Sequence, residues 1–204
     1  MDIVLCFVLG YLLGMLSPAA LLSKIKNINL RENGSGNLGA TNTFLVIGKW
    51  YGVLVMLIDI AKAFFAVKLA QTLLPELGYA GMLAGLGAIT GHIFPFYMKF
   101  KGGKGLAAFG GVVLATNLRV FCLLAVIGAV LALITNRGVA LPVSATVMFS
   151  PLLWLETGSV CCFLTALAAS LLVIAVHMGN VKKALNGDYI KVREYIRTNI
   201  FSKK

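Results

Sequence analysis

Acidic side chains are scarce in this chain: 7 Asp and Glu stand against 18 Lys and Arg among 204 residues. Charge of either sign is thin, at 12% of the residues, where a soluble domain carries about 25%. That excludes an ordinary soluble enzyme and a charged disordered tail. Histidine numbers only 2 and cysteine 4. Cys6, Cys122, Cys161 and Cys162 lie in apolar runs without C-x-x-C or zinc-site spacing, which excludes a disulfide scaffold and leaves no metal-ligand constellation. They read as small hydrophobes. No G-x-S-x-G elbow occurs, so a serine hydrolase of that type is excluded. No Lys or Arg precedes the first apolar run, so it lacks the positive start of a signal peptide.

Hydrophobic residues, by contrast, make up 59%, and mean hydropathy is +0.92. A bilayer span needs roughly 20 apolar residues. Apolar runs cover 3–22, 51–74, 78–97, 106–117, 120–134, 139–155 and 159–176. They predict an all-α integral membrane protein of about seven transmembrane helices in one domain over 1–204. Basic residues follow the first run (Lys24, Lys26, Arg31) and crowd the tail (Lys182, Lys183, Lys191, Arg193, Arg197, Lys203, Lys204). Because cytoplasmic loops are rich in Lys and Arg, the N-terminus is placed outside and the C-terminus in the cytoplasm. This orientation needs a break near Asn117, where an otherwise continuous apolar stretch contains Thr116, Asn117 and Arg119. Gly10/Gly14, Gly81/Gly85 and Gly87/Gly91 are GxxxG pairs, a spacing that lets helix backbones approach. Tyr189, Val192, Ile196 and Ile200 recur at helical spacing, so the basic tail over 182–204 is expected to carry an interfacial helix. The net charge of +11 is explained by this topology and an anionic ligand, without nucleic acid.

Polar residues collect on the cytoplasmic side. The run Gly34-Ser35-Gly36-Asn37-Leu38-Gly39-Ala40-Thr41-Asn42 lies in a connection of about 25 residues, far longer than helix joints require. Its G-x-G-x-x-G has no strand before it, which excludes a dinucleotide fold. Glycines that expose backbone N–H groups beside Ser35, Thr41, Asn37 and Asn42 make a cradle for phosphate or carboxylate; the plain alternative is a flexible polar turn. In Lys99-Phe100-Lys101-Gly102-Gly103-Lys104-Gly105, Lys99 and Lys101 read as headgroup anchors. Lys104, with Gly103 and Gly105 beside it, reads as an anion site ahead of a helix N-terminus. It is not a Walker loop, since Gly105 stands where Ser or Thr should follow. His177 and Asn180 are three apart and share a helical face. Asp59 and Lys62 form an i,i+3 pair inside an apolar run, either a structural ion pair or support for a site. His92 reads as a helix-end hydrogen-bonder. Neither histidine heads a His-x4-Asp pair, since Tyr97 and Lys182 follow at five. Any chemistry here would work by positioning and neutralising anions.

Taken in order, Gly34–Asn42, Asp59-Ile-Ala-Lys62, Gly91-His-Ile-Phe-Pro95, Phe100-Lys-Gly-Gly-Lys-Gly105 and His177-x-x-Asn180 resemble the bacterial membrane acyl-phosphate:glycerol-3-phosphate acyltransferases (the PlsY family), over nearly the whole chain. The resemblance implies a multi-pass enzyme of the bacterial cytoplasmic membrane, monomeric, surrounded by membrane lipids and using no cofactor. It would move a fatty acyl group from acyl phosphate to the 1-hydroxyl of glycerol 3-phosphate, giving lysophosphatidic acid and phosphate. The family's phosphate-clamp role falls on Ser35 and Lys104, with Gly36, Gly39 and Gly103 supplying backbone. The polar-loop role falls on Asn37, Thr41 and Asn42, substrate orientation on His177 and Asn180, and support on Asp59 and Lys62. The sequence departs from the family at Leu45, where Arg is usual, at 138–143, which lacks the usual hydroxyls, at Lys183 for Arg, and at Ala63 for Gly. An alternative carried by Leu45 is a weak or inactive paralogue that binds a lipid phosphate in a regulatory role. A small-anion transporter would need paired interrupted helices and a two-fold repeat, neither of which is present.

Overall fold

The computed structural model describes residues 1–187 and 191–199. Among them the chain is helical, with one isolated bridge between Arg137 and Lys191 instead of a sheet. The first apolar run is not one helix, as expected over 3–22, but two: α1 (Asp2–Gly14) and α2 (Pro18–Ile25). The cause is local. Ser17 Oγ accepts the Ala20 N–H at 3.3 Å and Pro18 takes the first helical position, which together start a new helix.

A short α3 (Ala40–Val46) leads into α4 (Lys49–Leu73). Next, α5 (Ala80–Ile93) ends two residues short of Pro95, because the residue before a proline is pushed out of helical geometry. It is therefore shorter than the expected 78–97. A 3₁₀ turn at Phe96–Met98 follows. The break at Asn117 falls where the sequence places it, between α6 (Leu106–Thr116) and α7 (Leu118–Thr135). Asn117 is extended there, and its Oδ1 accepts the N–H groups of Arg119 at 2.7 Å and Val120 at 3.2 Å. Its Nδ2 donates to Glu156 near the end of α8 (Ala140–Thr157). α9 (Val160–Leu185) outruns the expected 159–176, so His177, Asn180, Lys182 and Lys183 all ride on it. Among the described residues, three stretches are long and apolar enough to cross a membrane: Asp2–Ile25, Leu118–Thr135 and Val160–Leu185.

The glycine pairs do what small residues do between helices. α1 and α5 run side by side, and a β-carbon at Gly10 or Gly14 would overlap the backbone of Ala84 or Ala88. From the other side, one at Gly87 or Gly91 would overlap the carbonyl of Phe7 or Tyr11. Such contact is the close approach that lipid-facing helices use in place of a hydrophobic driving force. Gly111 of α6 seats in the same way on Ile60 of α4. The centre is filled by Phe109 and Phe149, whose rings meet edge to face with centroids 5.3 Å apart, and by Ile89, Val67, Val112 and Val173.

The two ends of the bundle differ in charge. α1, α5 and α9 finish, and α4 and α6 start, at one end. That end carries Lys24, Lys26, Arg31, Lys49, Lys99, Lys101, Lys104, Arg137, Lys182 and Lys183. Its acids among the described residues are Glu32 and Glu194, and the opposite end carries Asp2, Glu76, Glu156, Lys68 and Arg119. At the basic end, α10 (Val192–Asn199) docks on the protein. The Val192 and Arg193 N–H groups donate to Asn136 O and Oδ1 at 3.3 and 2.9 Å, and the Tyr195 ring lies 6.1 Å from Phe44. Val192, Tyr195 and Ile196 are half-buried, so part of the expected interfacial stripe faces protein. Tyr189, Ile200, Lys203 and Lys204 lie outside the described residues. All four cysteines are free, with Cys6 and Cys162 buried.

Candidate active site

The loop before α3 is pinned at its base by the side chain of Asn42. Asn42 is fully buried at the base of the loop. Its Oδ1 accepts the Ser35 N–H at 2.7 Å, and its Nδ2 donates to Leu30 O at 2.9 Å and Asn33 O at 3.1 Å. Both donors of the amide and one lone pair of its oxygen are thus committed inside the loop. The sequence suggests Asn42 as a substrate contact; in the structure its amide staples the cradle. Gly34 sits over this staple at φ +63, where a β-carbon would strike Asn42 Oδ1, so only glycine fits. Thr43 Oγ1 closes the α3 start by donating to Gly39 O at 3.0 Å. Ser35 and Thr41 are left exposed, and Gly36 and Asn37 half-exposed, on the outer side of the cradle.

The second loop lies against the end of α5. Gly102 N–H donates to Ile93 O at 2.9 Å and Gly103 N–H to His92 O at 3.1 Å. Gly103 is also where the two loops meet: a β-carbon on it would lie 2.7 Å from Leu38 O and would collide with His92 Nε2. Arg31 adds a second tie, its guanidinium donating to Lys101 O. Lys104 follows immediately, ahead of the α6 N-terminus.

Lys104 reaches across to α9. Its Nζ donates to Asn180 Oδ1 at 2.7 Å. Burial, and after it the charge of Lys183, hold the Lys104 ammonium below the ordinary lysine range. One turn before Asn180, His177 is buried and donates from Nδ1 to Val173 O at 2.8 Å. That bond assigns the Nδ1–H tautomer and leaves Nε2 as an acceptor. Asp59 and Lys62 stand deeper. Lys62 Nζ lies 2.7 Å from Asp59 Oδ1, 2.9 Å from His92 Nδ1 and 2.6 Å from Leu16 O. Their contacts are with each other, His92 and Leu16 O, beneath the loops.

The structure therefore joins the Ser35 loop, the Lys104 loop and the His177–Asn180 face at the basic end. Two participants were not legible as such. Arg31 reads as a topology signal, and its partner is 70 residues away. His92 reads as a helix-end residue, although the Asp59–Lys62 pair signalled that a third polar partner was needed.

The fold and the site define a class: an all-α membrane protein whose polar centre lies at the basic end of the bundle. Residues 4–187 match the family model described as glycerol-3-phosphate acyltransferase, and the chain belongs to that family. It is 36% identical to the glycerol-3-phosphate acyltransferase of Macrococcus caseolyticus, covering 95% of this chain and 98% of that one. It is 37% identical to the one from Prochlorococcus marinus strain MIT 9312, covering 95% and 99%. Among solved structures it is similar to PlsY, an integral membrane glycerol 3-phosphate acyltransferase. The glycerol 3-phosphate form superposes with a TM-score of 0.85 at 29% identity, covering 94% of this chain and 96% of that one. The lysophosphatidic acid form gives 0.85 at 28% identity, covering 97% and 100%.

Proposed function

We propose that this chain is a glycerol-3-phosphate acyltransferase whose acyl donor is acyl phosphate. The 1-hydroxyl oxygen of glycerol 3-phosphate attacks the acyl carbonyl carbon and a new ester C–O bond forms. The C–O bond to phosphate breaks, and inorganic phosphate leaves with the bonding pair. The hydroxyl proton passes to a phosphate oxygen, so the products are lysophosphatidic acid and phosphate. The observation that carries this reading is the Lys104–Asn180 hydrogen bond, which holds a cation at the junction of two glycine-rich loops.

Each residue then has a physical task. Lys104 neutralises phosphate charge, and Asn180 fixes where its ammonium points. Ser35 and Thr41 offer hydroxyls from the open side of the cradle, and the loop glycines let the backbone come close to an anion. His177 Nε2, an acceptor by its tautomer, is suited to orient the attacking hydroxyl. Holding two anionic reactants side by side supplies the proximity term, and the fixed Lys104 cation offsets the phosphate charge of glycerol 3-phosphate that would otherwise repel the donor. We place about seven spans, the N-terminus outside, and the basic end in the cytoplasm of a bacterial cell. The crowding of Lys and Arg at the site end supports that orientation. A monomer among membrane lipids is sufficient, because every residue named comes from one chain.

The regulatory, non-catalytic alternative finds no support among the relatives, which are named for acyl transfer. The test is turnover. Purified protein in detergent, given acyl phosphate and glycerol 3-phosphate, should release phosphate only when both are present. Release no faster than that of a Lys104→Ala variant sinks the proposal.

A further inference from the structure

One buried polar cluster stands apart from Lys104 and Asn180. Asp59, Lys62 and His92 are all buried, at 1%, 7% and 8% exposure, between α4, α5 and the α1–α2 break. The Lys62 ammonium has three close neighbours: it donates to Leu16 O, lies 2.9 Å from His92 Nδ1, and is ion-paired with Asp59 Oδ1. The same Nδ1 lies 3.3 Å from Asp59 Oδ1, so His92 either accepts from the Lys62 ammonium, with the ring proton on Nε2, or donates to Asp59. The His92 ring is thereby locked in rotation by α4. It is not a bystander to the loop: its Nε2 faces Gly103, where a β-carbon would collide with it, and its carbonyl takes the Gly103 N–H at 3.1 Å. Gly103 precedes Lys104 directly and packs on Leu38 of the other loop.

We propose that Asp59, Lys62 and His92 form a positioning device that sets the path of the Gly102–Gly103–Lys104 backbone, and through it the place of the Lys104 ammonium. The three residues touch no substrate. They act through the loop, so the inference rests on Lys104 being the anion-binding residue of the proposed reaction. A buried ion pair is weak evidence for stability, since apolar residues of the same volume do as well. A cluster kept inside an apolar bundle therefore invites a role in fixing geometry. The Leu16 contact extends the same lock to the start of α2, which leads into the first loop.

The decisive comparison is between two substitutions at one position. His92→Asn keeps an acceptor near the place of Nδ1, whereas His92→Leu keeps bulk and removes it. Neither strips Lys62 of its other two partners. Amide hydrogen exchange of the full chain in detergent reads the loop directly. His92→Leu should speed exchange at Gly102 and Gly103 by tenfold or more, with α8 and α9 as protected as in the parent. His92→Asn should stay within about threefold of the parent. The paired variant D59N/K62M, which leaves no lone charge buried, should loosen the loop as His92→Leu does. A Ser150→Ala control, which removes the Ser150–Ser170 contact elsewhere in the bundle, should leave the loop unchanged. In parallel, kcat/KM for glycerol 3-phosphate should fall tenfold or more in His92→Leu and recover in His92→Asn. Equal exchange in parent and His92→Leu overturns the inference, as does equal loosening by Leu and Asn. A parent protein with no transfer activity would refute the proposed function instead, and the exchange comparison would still decide this one.

Discussion

Lys104 and Asn180, 76 positions apart in the sequence, meet at 2.7 Å. The bond crosses from a glycine-rich loop to the last turns of α9. It gives the ammonium a fixed direction in a half-buried setting. Replacing Asn180 by Leu leaves the cation without its neutral partner. A hydrogen bond to a charged group contributes about 1.5–3 kcal/mol, so kcat/KM should fall roughly ten- to 150-fold. Steady-state kinetics of phosphate release measures this, and a loss under threefold would remove Asn180 from the site.

Burial and the neighbouring Lys183 both press the Lys104 pKa downward. The charged form of Lys104 is the one that holds an anion. Activity of the free enzyme, read as kcat/KM, should therefore decline on the alkaline side before an ordinary lysine would titrate. Lys183→Gln removes one of the two causes, so the decline should move to higher pH. The stability sign is opposite to that of a paired lysine. In the window between the lowered folded pKa and the ordinary unfolded one, the unfolded chain binds more protons, so stability rises with pH there. An alkaline limb that is unmoved by Lys183→Gln would contradict the assignment.

Asn42 holds three backbone groups of the cradle. Asn42→Ala leaves buried backbone groups unsatisfied, which costs about 1–3 kcal/mol. Asn42→Asp keeps the acceptor for the Ser35 N–H but loses both donors, and should not rescue the loop. Thermal unfolding in detergent should show a lowered midpoint for both, with a raised glycerol 3-phosphate KM. A normal midpoint with only KM raised would return Asn42 to the list of substrate contacts.

Leu45 stands on α3, 40% exposed, one turn after Thr41. An Arg here would present a planar, always-charged fork that suits phosphate and that Leu cannot imitate. Leu45→Arg should raise kcat/KM by roughly tenfold, the worth of one charge-assisted contact of about 1.5 kcal/mol. Kinetics with each substrate varied in turn will show which one gains. No gain, with the fold intact, would mean that the face of α3 bearing Thr41 is turned away from the reactants.

Much of this was legible in the sequence because it is local. Asn117 caps α7 with its own side chain, and such caps can be read from residue type. The glycine pairs of α1 and α5 likewise announce a close approach. The division at Ser17-Pro18 carried its own start signal, which the continuous hydropathy of 3–22 masked. What could not be read depends on distant partners. Asn42 has the composition of a ligand contact, and only the path of residues 30–35 around it makes it a staple. Arg31 and Lys101, or His92 and Lys62, come together through helix packing that no spacing rule encodes. The docking of α10 on Asn136 and Phe44 is of the same kind.

In the proposed reaction the basic end of the bundle grips the phosphate of glycerol 3-phosphate through Lys104. Equilibrium binding of glycerol 3-phosphate to the purified full chain, with no acyl donor present, measures that grip directly. The parent protein should bind saturably, with affinity that weakens as salt is raised, and Lys104→Met should weaken it tenfold or more at the same salt. Equal affinity in the parent and Lys104→Met, or no saturable binding in the parent, would contradict it.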